Sequence, residues 1–122
     1  MEVKIPGTLY TPEVFVNEGS MHVEGRLIPH DNYSIFDELI SSLNNMSTIT
    51  HGTLKSIFRL SLINASSKKN LIFVLKQLEK LCASGKKIYI NWQYDSEDEE
   101  IYELGVLYKS MFNLEFNLEN VN

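Results

Sequence analysis

Leu60-Ser61-Leu62-Ile63-Asn64-Ala65-Ser66-Ser67-Lys68-Lys69-Asn70-Leu71 decides the fold of this chain: an apolar strand enters a short polar turn and leaves it at once as a helix. Upstream, Leu54 to Ile63 is nearly continuously apolar, with Phe58, Leu60 and Leu62 on one face and Ile57 and Ile63 on the other. A strand apolar on both faces is expected in the middle of a sheet. Downstream, Leu71, Val74, Leu75, Leu78, Leu81 and Cys82 recur at helical spacing, and Gly85 stands where a helix C-terminus favours a left-handed residue. Lys76 and Lys80 fall on the outer face of that helix. A strand feeding a helix within one turn is the unit of an α/β fold.

The same alternation continues in both directions. On the C-terminal side, Lys87 to Tyr94 reads as a strand with Trp92 and Tyr94 packing under or beside the helices. The acidic run Asp95 to Glu100 then opens a helix, with Ser96 and Glu99 at capping-box spacing. Ile101, Leu104, Tyr108 and Met111 form the buried face of that helix, and Phe112 to Leu118 alternates as a short final strand. On the N-terminal side, Tyr33, Phe36, Ile40 and Leu43 predict a helix capped by Asp31 or Asn32, followed by a polar connector from Asn44 to Gly52. Val14-Phe15-Val16 and Met21 to Leu27 flank the turn Asn17 to Ser20 as a β-hairpin. Ile5-Pro6-Gly7-Thr8, interrupted at Thr11-Pro12, is an edge strand or a broken strand pair. The expected class is therefore α/β, one domain over residues 1–122 in the order β-β-α-β-α-β-α-β, with a mixed sheet and helices mainly on one face.

Composition narrows the function. A chain of 122 residues with 43% hydrophobic and 22% charged residues is globular, and its net charge of -5 argues against binding nucleic acid or an anionic membrane. Protein partners are the better expectation. Cys82 is the single cysteine, which excludes an internal disulfide and fits a reduced, cytoplasmic setting. The N-terminus has no signal-peptide pattern, and no apolar run is long enough for membrane insertion. There is no glycine-rich nucleotide loop, zinc-spaced cysteine and histidine set or nucleophile elbow. His22, His30 and His51 are scattered and read as surface or turn residues. The acidic run lacks the ordered ligands of a calcium loop and reads as a solvated helix start, so a metal-dependent hydrolase built on Asp95 is the weaker alternative.

What remains is the turn from Asn64 to Ser67. Its plain reading makes Ser66 or Ser67 the helix N-cap. Its functional reading is a regulatory phosphosite: a phosphoryl group adds about -1.5 to -2 charges at the positive end of a helix dipole and changes any interface made there.

Ile5-Pro6-Gly7-Thr8 with Thr11-Pro12, Gly25 before Pro29 and Asn32-Tyr33-Ser34, Leu62-Ile63-Asn64 with Ser66-Ser67-Lys68, and Asn91-Trp92-Gln93-Tyr94-Asp95 stand in the order seen in SiaC-type regulatory phosphoproteins. The chain resembles that family from about Ile5 to Phe116. The resemblance implies a fold like the STAS domain of anti-sigma-factor antagonists, no enzymatic activity and no cofactor. It further implies a partner switch in which the unphosphorylated form binds and activates a diguanylate cyclase, raising cyclic di-GMP and affecting biofilm formation. A cognate protein kinase and a PP2C-type phosphatase would set the phosphorylation state. The alternative within the same fold is an anti-sigma-factor antagonist proper, whose partner is an anti-sigma kinase. The family's usual acceptor is a threonine directly after the asparagine, and Ala65 occupies that position. Either Ser66 takes over, or the chain stands permanently in its active form, or alanine was placed there to hold that form. Ser66 is the acceptor this sequence offers, within an expected partner surface of Asn64, Ala65, Ser66, Ser67 and Lys68.

Overall fold

The computed structural model describes residues 2–29, 35–46 and 52–121. Its elements are β1 (Glu2–Ile5), β2 (Glu13–Asn17), β3 (Ser20–Leu27), α1 (Ile35–Met46), β4 (Thr53–Ile63), α2 (Ala65–Ala83), β5 (Lys87–Tyr94), α3 (Glu99–Met111) and β6 (Glu115–Asn120). They build one mixed sheet in the order β1-β2-β3-β4-β5-β6. The first two pairings are antiparallel and the last three parallel.

The expected mixed α/β architecture is present with one more strand than the sequence pattern indicated. The N-terminal segment is a strand pair with a break: β1 ends at Ile5 and β2 begins at Glu13. Pro6 and Pro12 cannot donate to a ladder. The chain between them closes on itself, with the Thr8 hydroxyl accepting from the Tyr10 and Thr11 amides at 3.1 and 2.9 Å. At the other end, Phe112 caps α3 and Asn113 bonds to Glu79, so the last strand starts at Glu115 rather than Phe112.

Because neighbours in the sheet are neighbours in sequence, the three crossovers step in one direction. Crossovers of one hand then place every helix on one face. That face carries the core, including Val14, Val23, Phe58, Ile90, Trp92, Leu71, Leu75 and Leu78. The other face stays open. β4 lies between β3 and β5 as expected, but it is not apolar on both sides: Leu54, Ser56, Phe58 and Leu60 point inward, while Lys55 and Arg59 are exposed.

The alternation of β4 breaks once, next to the turn. Gly25 of β3 pairs with Leu60 and Arg26 with Leu62, so Ser61 is an extra residue without a partner in β3. A one-residue bulge inverts every side chain beyond it. Leu62, predicted on the same face as Leu60, is 50% exposed, and Ile63 turns into the core.

The first helix shows its apolar face from Ile35 onward, with Phe36, Leu39 and Leu43 buried and Ile40 half-buried. Asn44 to Met46, read as the start of the connector, belong to this helix. The proposed caps Asp31 and Asn32, with Tyr33, His30 and His51, lie outside the described residues. His22 is on the open sheet face, its Nε2 at 2.9 Å from Glu24 Oε1.

Candidate functional site

The bulge delivers the chain to Asn64 in extended geometry, φ -81° and ψ 170°. Asn64, rather than Ser66 or Ser67, is the N-cap of α2. Its Oδ1 accepts from the Ser67 amide at 3.0 Å and from the Ser66 hydroxyl at 3.3 Å. Its backbone N–H donates to Leu27 at 3.3 Å and its Nδ2 to the Pro29 carbonyl at 3.4 Å. One side chain therefore satisfies an orphan helix donor and ties the turn to the end of β3. Asparagine suits this place because its short amide carries both an acceptor for the helix and a donor for the neighbouring strand.

The turn sits at the end of the sheet where separate stretches meet. Ile28 donates to the Tyr10 carbonyl at 2.9 Å, which brings the Thr8–Thr11 loop beside the end of β3 and so beside Asn64. Leu9 and Tyr10 are 62% and 42% exposed there. On the other side, Lys68 Nζ lies 2.9 Å from Glu100 Oε1, and the Tyr108 hydroxyl donates to the Lys68 carbonyl at 2.6 Å. The ion pair is largely solvent-exposed and contributes little energy, but it orients Lys68 toward α3. Tyr108 is buried, and burial pushes its phenol above the usual range, so it stays a neutral donor.

The five residues expected to form a partner surface are not equivalent. Ala65 and Ser66 are exposed, Asn64 and Lys68 are half-buried, and Ser67 is fully buried. Among the described residues, the Ser67 hydroxyl has no hydrogen-bond partner. Its side chain is therefore absent from the outer surface of the turn, and Ser66 is the exposed hydroxyl of α2's first turn. The first amides of a helix lack intrahelical acceptors and carry the positive end of its dipole, so a phosphate on Ser66 meets favourable local electrostatics.

The acidic run has local and long-range uses. Asp95 Oδ1 accepts from the Glu97 amide at 2.9 Å, and Asp98 Oδ1 from the Ile101 amide at 3.1 Å. Asp98 is the N-cap of α3, so the predicted Ser96 and Glu99 capping box is replaced by a cap two residues later. Among the described residues, no three His, Cys, Asp or Glu side chains gather as a metal site. Trp92 is buried, donating to the Ile101 carbonyl at 2.9 Å, and Tyr94 packs on Tyr102 with ring centroids 4.8 Å apart.

Sequence reasoning did not identify Pro29, Glu100 or Tyr108 as supports of the turn. No local pattern carries these contacts, since their partners are remote in sequence.

A family model described as the SiaC family of regulatory phosphoproteins matches residues 5–121. The chain belongs to that family. Its fold is similar to apo-SiaC from Pseudomonas aeruginosa, with a TM-score of 0.88 and 24% identity over 98% of each chain. A chain in the crystal structure of the diguanylate cyclase SiaD with its activator SiaC, also from Pseudomonas aeruginosa, matches at 25% identity. That likeness has a TM-score of 0.88 and covers 97% of this chain and 98% of the other. An uncharacterized Pseudomonas aeruginosa protein is 25% identical over 120 residues, or 97% of this chain and 95% of its own length. Among the described residues, no helix is long and apolar enough to cross a membrane.

Proposed function

We propose that this chain is a non-enzymatic partner-switching regulator whose unphosphorylated form binds and activates a diguanylate cyclase. The observation that carries this reading is its likeness, across nearly the whole of both chains, to the structure of SiaD with its activator SiaC. The chain acts as one cytoplasmic domain, and its contact surface centres on Asn64, Ala65, Ser66 and Lys68. A cognate kinase and a PP2C-type phosphatase control the state of the turn.

The geometry supports Ser66 as the acceptor. Ala65 presents a methyl group at the family's threonine position, whereas the Ser66 hydroxyl is exposed and next to the Asn64 amide oxygen. Phosphorylation adds about -1.5 to -2 charges to that surface, disfavouring a partner by desolvation and altered charge complementarity.

Two measurements test the reading. Adding the chain to the diguanylate cyclase of its own organism raises cyclic di-GMP synthesis; no increase and no binding refute it. Incubation with the cognate kinase and ATP, followed by fragment mass analysis, places phosphate on Ser66 and none on the Ser66→Ala variant. Modification only after Ala65→Thr shows that this molecule is held in the activating state.

A further inference from the structure

We infer that the outward face of α2, from Ser66 along Lys69, Phe73, Lys76 and Lys80, is the docking surface for an acidic face of the partner cyclase, with the Phe73 ring as its anchor. This inference rests on the partner-binding function proposed above and extends it from the turn to the whole helix. The residues recur at spacings of three and four, which aligns them on one side of a helix. The opposite side, Leu71, Val74, Leu75, Leu78 and Leu81, is buried in the core. The stripe therefore faces solvent along about 20 Å of helix.

Two observations distinguish it from an ordinary solvated face. First, Phe73 is 54% exposed in the middle of the stripe, although the core-facing positions of α2 already supply the packing the helix needs. An aromatic ring held in water by a charged helix is a ready binding anchor. Second, the charges are one-sided and uncompensated. α2 contains four lysines, of which Lys68 is paired with Glu100 and the other three lie on the stripe, and one glutamate, in a chain of net charge -5. Among the described residues, Lys69, Lys76 and Lys80 have no carboxylate partner, and Lys76 lies over the Phe73 ring at 5.6 Å from its centroid. Such a patch complements an acidic protein face and steers its approach.

The stripe also explains how a single phosphate acts on a wide interface. Ser66 and Lys69 are three residues apart and neighbours on the helix surface. A phosphoryl group on Ser66 lies beside Lys69, neutralises its charge toward the partner and repels the partner's carboxylates. An anionic membrane fits less well. The apolar side of α2 is occupied by the core, leaving one ring to insert, and the acidic remainder of the chain repels an anionic surface.

The test measures binding of the full chain to its organism's diguanylate cyclase. The Lys69→Glu, Lys76→Glu, Lys80→Glu triple variant is compared with Phe73→Ala and with a Lys55→Glu, Arg59→Glu, Lys87→Glu variant on the open sheet face. The stripe variant is expected to lose affinity at least tenfold and Phe73→Ala about tenfold, with the sheet-face variant within about threefold of the parent. Binding by the stripe variant and Phe73→Ala at parental strength overturns the inference and leaves the proposed function standing. Equal losses in the two triple variants also overturn it, since net charge alone then accounts for binding. Phosphatidylglycerol vesicles serve as a second probe: loss of vesicle binding with cyclase binding intact assigns the stripe to membranes and overturns the inference. A parent chain that binds no cyclase refutes the functional reading and this extension together. Phe73 is exposed, so its variant keeps the test valid should the triple variant fail to fold.

Discussion

Gly105→Ala exchanges the poorest helix former among ordinary residues for the best, and it is expected to destabilise this protein. A Cβ on Gly105 would stand 2.5 Å from Trp92 Cδ1, 2.7 Å from Trp92 Nε1 and 2.8 Å from Leu118 Cδ2. Comfortable carbon contacts are about 3.5–4.0 Å, so about 1 Å of movement is required. Trp92 cannot supply it freely: its ring is packed against Phe58, Tyr108 and Phe116 at centroid distances of 5.8, 5.6 and 6.1 Å. Lifting α3 instead stretches the 2.9 Å hydrogen bond from Trp92 Nε1 to Ile101, which belongs to the same helix. Overpacking costs about 1–3 kcal/mol and an orphaned buried indole N–H about 1–3 kcal/mol more, against about 1 kcal/mol gained in helix propensity. The net loss is about 1–5 kcal/mol, or on the order of a 10 °C fall in Tm. Trp92 is the single tryptophan, so urea unfolding followed by its fluorescence reports both the stability and the disturbed site. A variant as stable as the parent, or more stable, refutes the close seating of α3 on Trp92 as the reason for glycine.

Asn64→Ala removes the N-cap and the tie to Pro29, and is expected to cost about 1–2 kcal/mol in denaturant unfolding; no loss contradicts the assigned cap. Ser67→Ala removes a buried hydroxyl that has no partner among the described residues, so stability should be unchanged or rise by up to about 1 kcal/mol. A larger loss shows that the hydroxyl is bonded. Tyr108 holds its proton more tightly when folded than when unfolded, so its contribution is complete below the unfolded value of about 10 and declines as pH rises above it. Tyr108→Phe should flatten that alkaline decline while costing about 1 kcal/mol at neutral pH, measured by unfolding at pH values either side of about 10.

Much of this molecule is legible in residue order because its information is local. The switch of period from two to nearly four at Asn64 marks the end of β4 and the start of α2. The core face of α2, the hairpin around Asn17 and the buried Trp92 follow from the same periodicities. The order of exposed and buried serines is harder. Ser66 and Ser67 have the same chemistry, and only Asn64's taking the cap decides which hydroxyl remains outside.

By itself the sequence determined the succession of strands and helices from the hairpin around Asn17 onward, the single-sided character of α2 and the polar turn that joins β4 to it, because each depends on neighbours within a few residues. Tertiary structure alone decided the bulge at Ser61, which sends Ile63 inward and Leu62 outward, and the supports of the turn at Pro29, Glu100 and Tyr108. It also left Phe73 and its lysines facing water beside Ser66. These features depend on which distant backbone or side chain arrives at a given point. Periodicity, which records one segment's preference for burial, carries no information about that arrival.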